Sequence, residues 1–232
     1  MERNKQNGFV SIGLVLLLGV SCTPSDRNIK GTDATGSSST EMSGKSVSVV
    51  DPLLPREYVG WVRNPSNGLL RDKTIDDITF SAQYKPYEYI ACIEEKTEQI
   101  SDSLTKRKIA ELDGMEYIDL KIALKDGQQE LLKYNLLSKA DYETRVKYFS
   151  FGMQNDISLV ENGDTIPCSL FHFERAYDVT PYCTFLLGFV KKAKKNISDE
   201  TLIFPDRTFH KGIVKLTFSK NDLDHIPKLR TL

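Results

Sequence analysis

The spacing of apolar positions divides the chain into three textures. Residues 9–20 form a nearly unbroken apolar run. From Thr23 to about Val50 the chain is polar and follows neither a helical nor a strand period, although Val47, Val49 and Val50 suit a short strand. Beyond Pro52 and Pro55 periodic patterns begin. Residues 58–62 are β-branched and aromatic and predict a strand, and the turn formers Asn64 to Gly68 follow. Residues 78–84 alternate apolar and polar and predict a second strand, closed by Pro86. Tyr87, Ile90, Ala91 and Glu94 then stand at helical spacing. Ile93, Thr97, Ile100 and Leu104 extend the stripe, and Leu104, Ile109 and Leu112 predict a second helical piece ending at Asp113-Gly114. Ile118, Leu120, Ile122 and Leu124 give the cleanest alternation in the chain, terminated by Asp126-Gly127. A short helix is predicted over 128–134. Another begins at Lys139 behind Ser138, with Asp141 at the acidic position of a capping box. The remainder reads as strands over 151–160, 165–174, 182–190, 201–204 and 213–218. Asn162-Gly163 makes a hairpin between the first two. Asn221 or Asp222 opens a last helical turn before Pro227.

Strands outnumber helices, and the helices are grouped rather than alternating with strands. That predicts an α+β fold, mostly antiparallel β. The expectation is a single β-rich, sandwich-like domain with a helical segment in the middle, not a doubly wound sheet. The expected division is 1–21, 22–54 and 55–232, the last being the globular part.

The first texture has an address-like layout. Arg3 and Lys5 precede the apolar run, and Ser21 and Cys22 close it, which is the order of a secretory signal peptide. The run is too short to cross about 30 Å of hydrocarbon as a helix. Leu18-Gly19-Val20-Ser21-Cys22 resembles the lipobox of bacterial lipoproteins, with Gly19 where a leucine is usual. The resemblance covers only the first tenth of the chain. It implies cleavage after Ser21, a diacylglycerol thioether at Cys22 and acylation of the new amine. Thr23, rather than an aspartate, follows the cysteine, which in that family favours the outer membrane. Two or more acyl chains hold a protein stably at a membrane. Residues 22–54 would then be a tether, too poor in apolar surface to offset the entropy of ordering. Its polar stretch from Thr23 to about Val50, roughly 28 flexible residues, would average about 30 Å end to end.

Composition adds little beyond ordinary globularity, with 40% hydrophobic and 27% charged residues, but a formal net charge of −1 matters. No global field draws this chain to nucleic acid or anionic lipid, and no nucleic-acid partner is expected. The expected partners are the membrane, through lipid at Cys22, and an envelope protein or glycan. Cys92, Cys168 and Cys183 remain. A bridge between Cys168 and Cys183, contributing about 3 kcal/mol where geometry allows, competes with three small buried hydrophobes.

No phosphate-loop, dinucleotide, zinc-protease or serine-hydrolase motif occurs, nor any C-x-x-C, and no cofactor or metal is expected. His172 and Glu174 share one face of a predicted strand, beside Arg175. Asp206, His210, Asp224 and His225 are further acid–base candidates. A satisfied surface role accounts for each as well. Lys191, Lys192, Lys194 and Lys195 form a basic run, and Lys106-Arg107-Lys108 a basic helix face. Either could meet an anion or simply face water. Tyr84, Tyr87 and Tyr89 cluster between a strand and a helix, where aromatic rings could form a carbohydrate or peptide platform. They are the candidate ligand-binding residues. The reading is a tethered binding or assembly module, with no catalytic residue assigned. The alternatives are an envelope hydrolase built around His172, Glu174 and His210, and a purely structural envelope protein.

Overall fold

The computed structural model describes residues 51–96, 98–127, 129–175, 180–191 and 198–232. The expected leader, Cys22, most of the expected tether, the strand expected near Val47 to Val50, and Lys192, Lys194 and Lys195 lie outside the described residues. The folded part opens with α1 (Pro55–Arg63), then β1 (Leu70–Ile75), β2 (Ile78–Lys85), α2 (Tyr87–Glu95), α3 (Asp102–Leu112) and β3 (Met115–Leu124). After a 3₁₀ turn at Leu131–Lys133 come α4 (Lys139–Lys147), a π turn and a 3₁₀ turn. The chain finishes with β4 (Ser158–Glu161), β5 (Asp164–Glu174), β6 (Tyr182–Val190), β7 (Glu200–Asp206), β8 (Gly212–Phe218) and α5 (Lys220–Asp224). Among the described residues no helix is long and apolar enough to cross a membrane.

All eight strands join one antiparallel sheet in the order β1-β2-β3-β6-β5-β4-β7-β8. The fold is mixed α+β and mostly β. The central strand carries the predicted alternation: Ile118, Leu120, Ile122 and Leu124 all turn into the core. β5 makes the bend that curls the sheet. Residues 164–167 pair with β4, and Cys168 to Glu174 pair with β6 across a register shift between Cys168 and Leu170. A strand that changes partners at a bulge forms a corner. The two edge strands, β1 and β8, therefore come back beside each other without a ladder, giving a nearly closed barrel. Arg71 of β1 pairs with Asp222 of α5 across that seam. Gly68 (φ +77°) lies against Asp222 so closely that a Cβ would overlap the carboxylate.

The interior is aromatic. Phe80 meets Phe204 at 5.8 Å between ring centroids, and Tyr84 meets Phe218 at 5.6 Å. Phe149 packs edge-on to Phe185 at 5.2 Å, and Phe185 stacks on Phe173 at 5.0 Å. Each such side chain contributes about 1.5–3 kcal/mol when fully buried.

Several local expectations change. Residues 58–62 are not a strand but the middle of α1. Pro55 stands at its first turn, and the Glu57 carboxylate accepts the Leu54 N–H at 3.1 Å. Tyr58 and Val62, four apart, share the buried face, so the helical period overrides β-propensity. The strand expected over 151–160 shrinks to β4. Phe149 and Met153 are buried four apart, and the chain stays helical from α4 through 156. Of the helix expected over 128–134, the described residues 129–134 hold only the short 3₁₀ turn. β1 was hidden because three consecutive charged residues, Arg71, Asp72 and Lys73, put charge on both of its faces and mask the alternation, as charges on edge strands often do. The Asn162-Gly163 hairpin is present, with φ of +51° and +81° as a type I′ turn requires. Ser138 caps α4 by accepting the Asp141 N–H, while Asp141 reaches back to the Leu137 N–H.

Candidate functional site

β2 runs from beside Asp77 to Lys85, roughly 25 Å for eight residues, and a cavity opens at each of its ends. At the Lys85 end, a space of about 580 Å³ lies between the strand ends, α2, α3 and the C-terminal tail. That size suits a small ligand or a few residues of a larger one. Tyr84 and Tyr87, two of the three tyrosines singled out in the sequence, line it together with Tyr58. Tyr89 does not. Its buried ring packs between α1 and α2, where Arg63 Nε donates to its hydroxyl at 2.9 Å.

Each of the three lining tyrosines is held differently. The Tyr87 hydroxyl donates to the Met115 carbonyl at 2.6 Å, and its ring carries the Lys191 ammonium 5.3 Å above its centroid. Tyr84 rests on Phe218. Burial first, then the charges of Glu200 and Glu116, push its phenol well above the ordinary value. Those carboxylates and Glu161 are buried side chains on inward positions of β7, β3 and β4, and Glu161 and Glu200 stand directly opposite each other. Tyr58 is fully buried, and its hydroxyl has no hydrogen-bond partner among the described residues. Burial, then the charge of Glu88, raises its titration far above the usual range. A buried hydroxyl without a partner costs about 1–3 kcal/mol, and this one is closed off from solvent. Lys85 pairs with Asp119 at 3.0 Å and Lys106 with Asp102 at 2.6 Å on the rim. Among the described residues the walls hold no serine, cysteine or histidine. The arrangement offers ring faces, hydroxyls, ammonium groups and the carboxylates of Glu88, Asp102 and Glu116.

The opposite cavity, of about 550 Å³, lies between α4 and the β7–β8 turn. Sequence reasoning missed it. Asp206 shapes that turn: its carboxylate accepts the N–H groups of Thr208, Phe209 and Lys211 at 3.0, 3.1 and 3.0 Å. Asp206 is therefore a turn organiser rather than a base. The turn leaves His210 in left-handed backbone (φ +59°) on the cavity wall. Arg207 grips Asp156 with two hydrogen bonds of 2.7 and 2.9 Å, and Tyr148 donates to the same carboxylate at 2.8 Å. Those contacts, the guanidinium foremost, hold Asp156 below the usual carboxylate range. Lys211 spans Asp76 at 3.0 Å and Asp77 at 2.7 Å.

The remaining candidates do not assemble. His172 and Glu174 are exposed on β5, and neither lines the cavity that His210 lines. His225 hydrogen-bonds to Asn221 O, and Asp224 pairs with Lys220 at 3.0 Å. Among the described residues no group of three or more His, Cys, Asp or Glu is placed to hold a metal ion. Lys106, Arg107 and Lys108 are all matched by carboxylates, as a solvated helix face would be. Cys92, Cys168 and Cys183 are free buried thiols. Cys168 pairs with Phe189, six positions along β6 from Cys183, a separation of roughly 20 Å that no disulfide spans. No family model matches the sequence, and no curated protein or solved structure matches the chain.

Proposed function

We propose that the chain is a bacterial envelope lipoprotein, anchored through Cys22 with the outer membrane favoured, and that its folded part is a binding module. The observation that carries the binding role is the cavity lined by Tyr58, Tyr84 and Tyr87, beside the ammonium groups of Lys106 and Lys191. Tyrosine faces stack on sugar rings or peptide groups while their hydroxyls supply orientation. The partner is accordingly an envelope glycan or protein segment. The anchor rests on the charged start, the short apolar run and Cys22 in the sequence.

The test uses a photo-crosslinking amino acid placed at Lys106, on the exposed rim, in intact envelopes. A discrete adduct is expected, and Tyr87→Ala should reduce it severalfold by removing the ring. The same probe at Thr217, on the outer face of β8, should give none. No adduct at 106, or one indifferent to Tyr87→Ala, would overturn the binding role. Lipid labelling of the chain should vanish in Cys22→Ala, and labelling that persists would sink the anchor.

A further inference from the structure

We propose that the cavity between α4 and the β7–β8 turn is a second binding site, for a small monocarboxylate carried on a flat apolar body, held by the open edge of the Arg145 guanidinium. This site is separate from the tyrosine cavity and does not depend on it.

The cations around this cavity divide into two kinds. Arg207 and Lys211 already meet carboxylates, in the pairs with Asp156, Asp76 and Asp77. Arg145 does not. Its Nη1 donates to three neutral carbonyls, those of Leu131 at 3.2 Å, Leu132 at 3.0 Å and Tyr134 at 2.7 Å. Capping the 3₁₀ turn explains that one nitrogen. It leaves Nε and Nη2 without a hydrogen bond among the described residues, on a side chain that lines the cavity. Those two N–H groups are the parallel fork that fits a carboxylate in a bidentate pair. The fork is already positioned. Nη1 fixes one edge, and the guanidinium lies 5.0 Å over the Phe209 ring. A donor ordered before binding loses less entropy on binding.

The rest of the cavity selects the body attached to that carboxylate. Tyr134, Tyr148 and Phe209 supply aromatic walls, and Leu137 stands on the rim almost wholly exposed. Phe209 is itself backed by Tyr134 and Phe149, each 6.4 Å between ring centroids. The volume of about 550 Å³ is within the range of small-molecule sites. Asp77 and Asp141 also border the space. A single negative charge matches one open fork, whereas a dianion would meet those carboxylates.

The test measures binding of phenylacetate to the full-length chain by titration calorimetry. Saturable 1:1 binding is expected. Phenylacetamide, the same shape without the charge, should bind at least tenfold more weakly, and so should acetate, which keeps the charge without the ring. Arg145→Lys retains a cation but not the fork and should cost roughly tenfold. Because Arg145 also caps a turn, Leu137→Asp serves as the second variant. It adds a repelling charge at an exposed position, and should weaken phenylacetate severalfold without moving the thermal midpoint. Tyr87→Ala, at the other end of the barrel, should leave the affinity unchanged. Absence of saturable binding overturns the proposal. So does equal affinity for phenylacetamide or acetate, indifference to both Arg145→Lys and Leu137→Asp, or loss of binding in Tyr87→Ala.

Discussion

A single amide, that of Gln83, ties three stretches of backbone together. Its Nε2 donates to the carbonyls of Val62 at 3.2 Å, Leu69 at 2.9 Å and Tyr84 at 3.0 Å. α1 is thereby fastened to the end of β2 that carries Tyr84. Gln83→Leu keeps the approximate volume but removes three bonds at once, although Leu69 O still accepts the Tyr84 N–H at 2.8 Å, and should cost about 1–3 kcal/mol. The urea midpoint should fall with an unchanged slope. The buried thiols act at the same scale, through pH. Burial pushes Cys92 and Cys168 up to about 11 and Cys183 up to about 12. In the unfolded chain a thiol titrates near about 8.5. A folded value above the unfolded one means that the native state holds its protons longer. Their contribution is therefore complete below about pH 8.5 and is lost as pH rises towards 11–12. Urea midpoints measured between pH 7 and 10 should decline above 8.5. Cys183→Ala should make that decline shallower, and an identical decline would show that other groups cause it.

The β7–β8 turn shows how one element can hold a whole cavity. Three backbone N–H groups converge on Asp206, and the ring of Phe209 is aimed by that convergence. Asp206→Ala should cost about 1–3 kcal/mol, since charge-assisted bonds exceed neutral ones and water partly replaces them. Phenylacetate binding should also weaken more than in Thr217→Ala, measured by the same calorimetry. Elements of this kind were partly legible in the sequence. β3 and β8 followed from alternation because one face is core and the other is not. α1 was misread because Tyr58, Val59, Trp61 and Val62 have strand propensities, while Pro55 and Glu57 carry the weaker helix-start signal. β1 is recognisable only by its pairing with β2. Of the two cavities, the tyrosine one left a local trace in Tyr84 and Tyr87. The other did not, because Arg145 and Phe209 sit on elements that only the folded topology brings together.

At the scale of the whole molecule, the barrel is closed by its ends as much as by its sheet. Leu53 and the tail form a parallel bridge: Leu53 N–H donates to Lys228 O at 2.9 Å, and Arg230 N–H to Leu53 O at 2.7 Å. The tail then docks on the start of α3, with Leu232 N–H to Ile100 O and Asp102 N–H to Leu232 O, both at 3.1 Å. Ile226 and Leu229 pack on the core and help wall the tyrosine cavity. The tail is thus a strap that joins α1, α3 and the cavity, and it adds no strand to the sheet. Deleting residues 227–232 removes four backbone hydrogen bonds, each contributing about 0.5–1.5 kcal/mol net, together with the burial of Leu229. The sheet ladders remain intact. Hydrogen exchange separates the two consequences. In the deletion variant, amides of Leu53 and Asp102 should lose protection almost completely, while those of Leu120 and Phe185 in the central strands should lose only what the lower global stability dictates. The Lys106 crosslink should weaken in parallel, because one wall of the cavity is gone. If the central amides lost protection to the same extent as Leu53, strap and barrel would be one cooperative unit, and the tyrosine cavity could not open without unfolding the sheet.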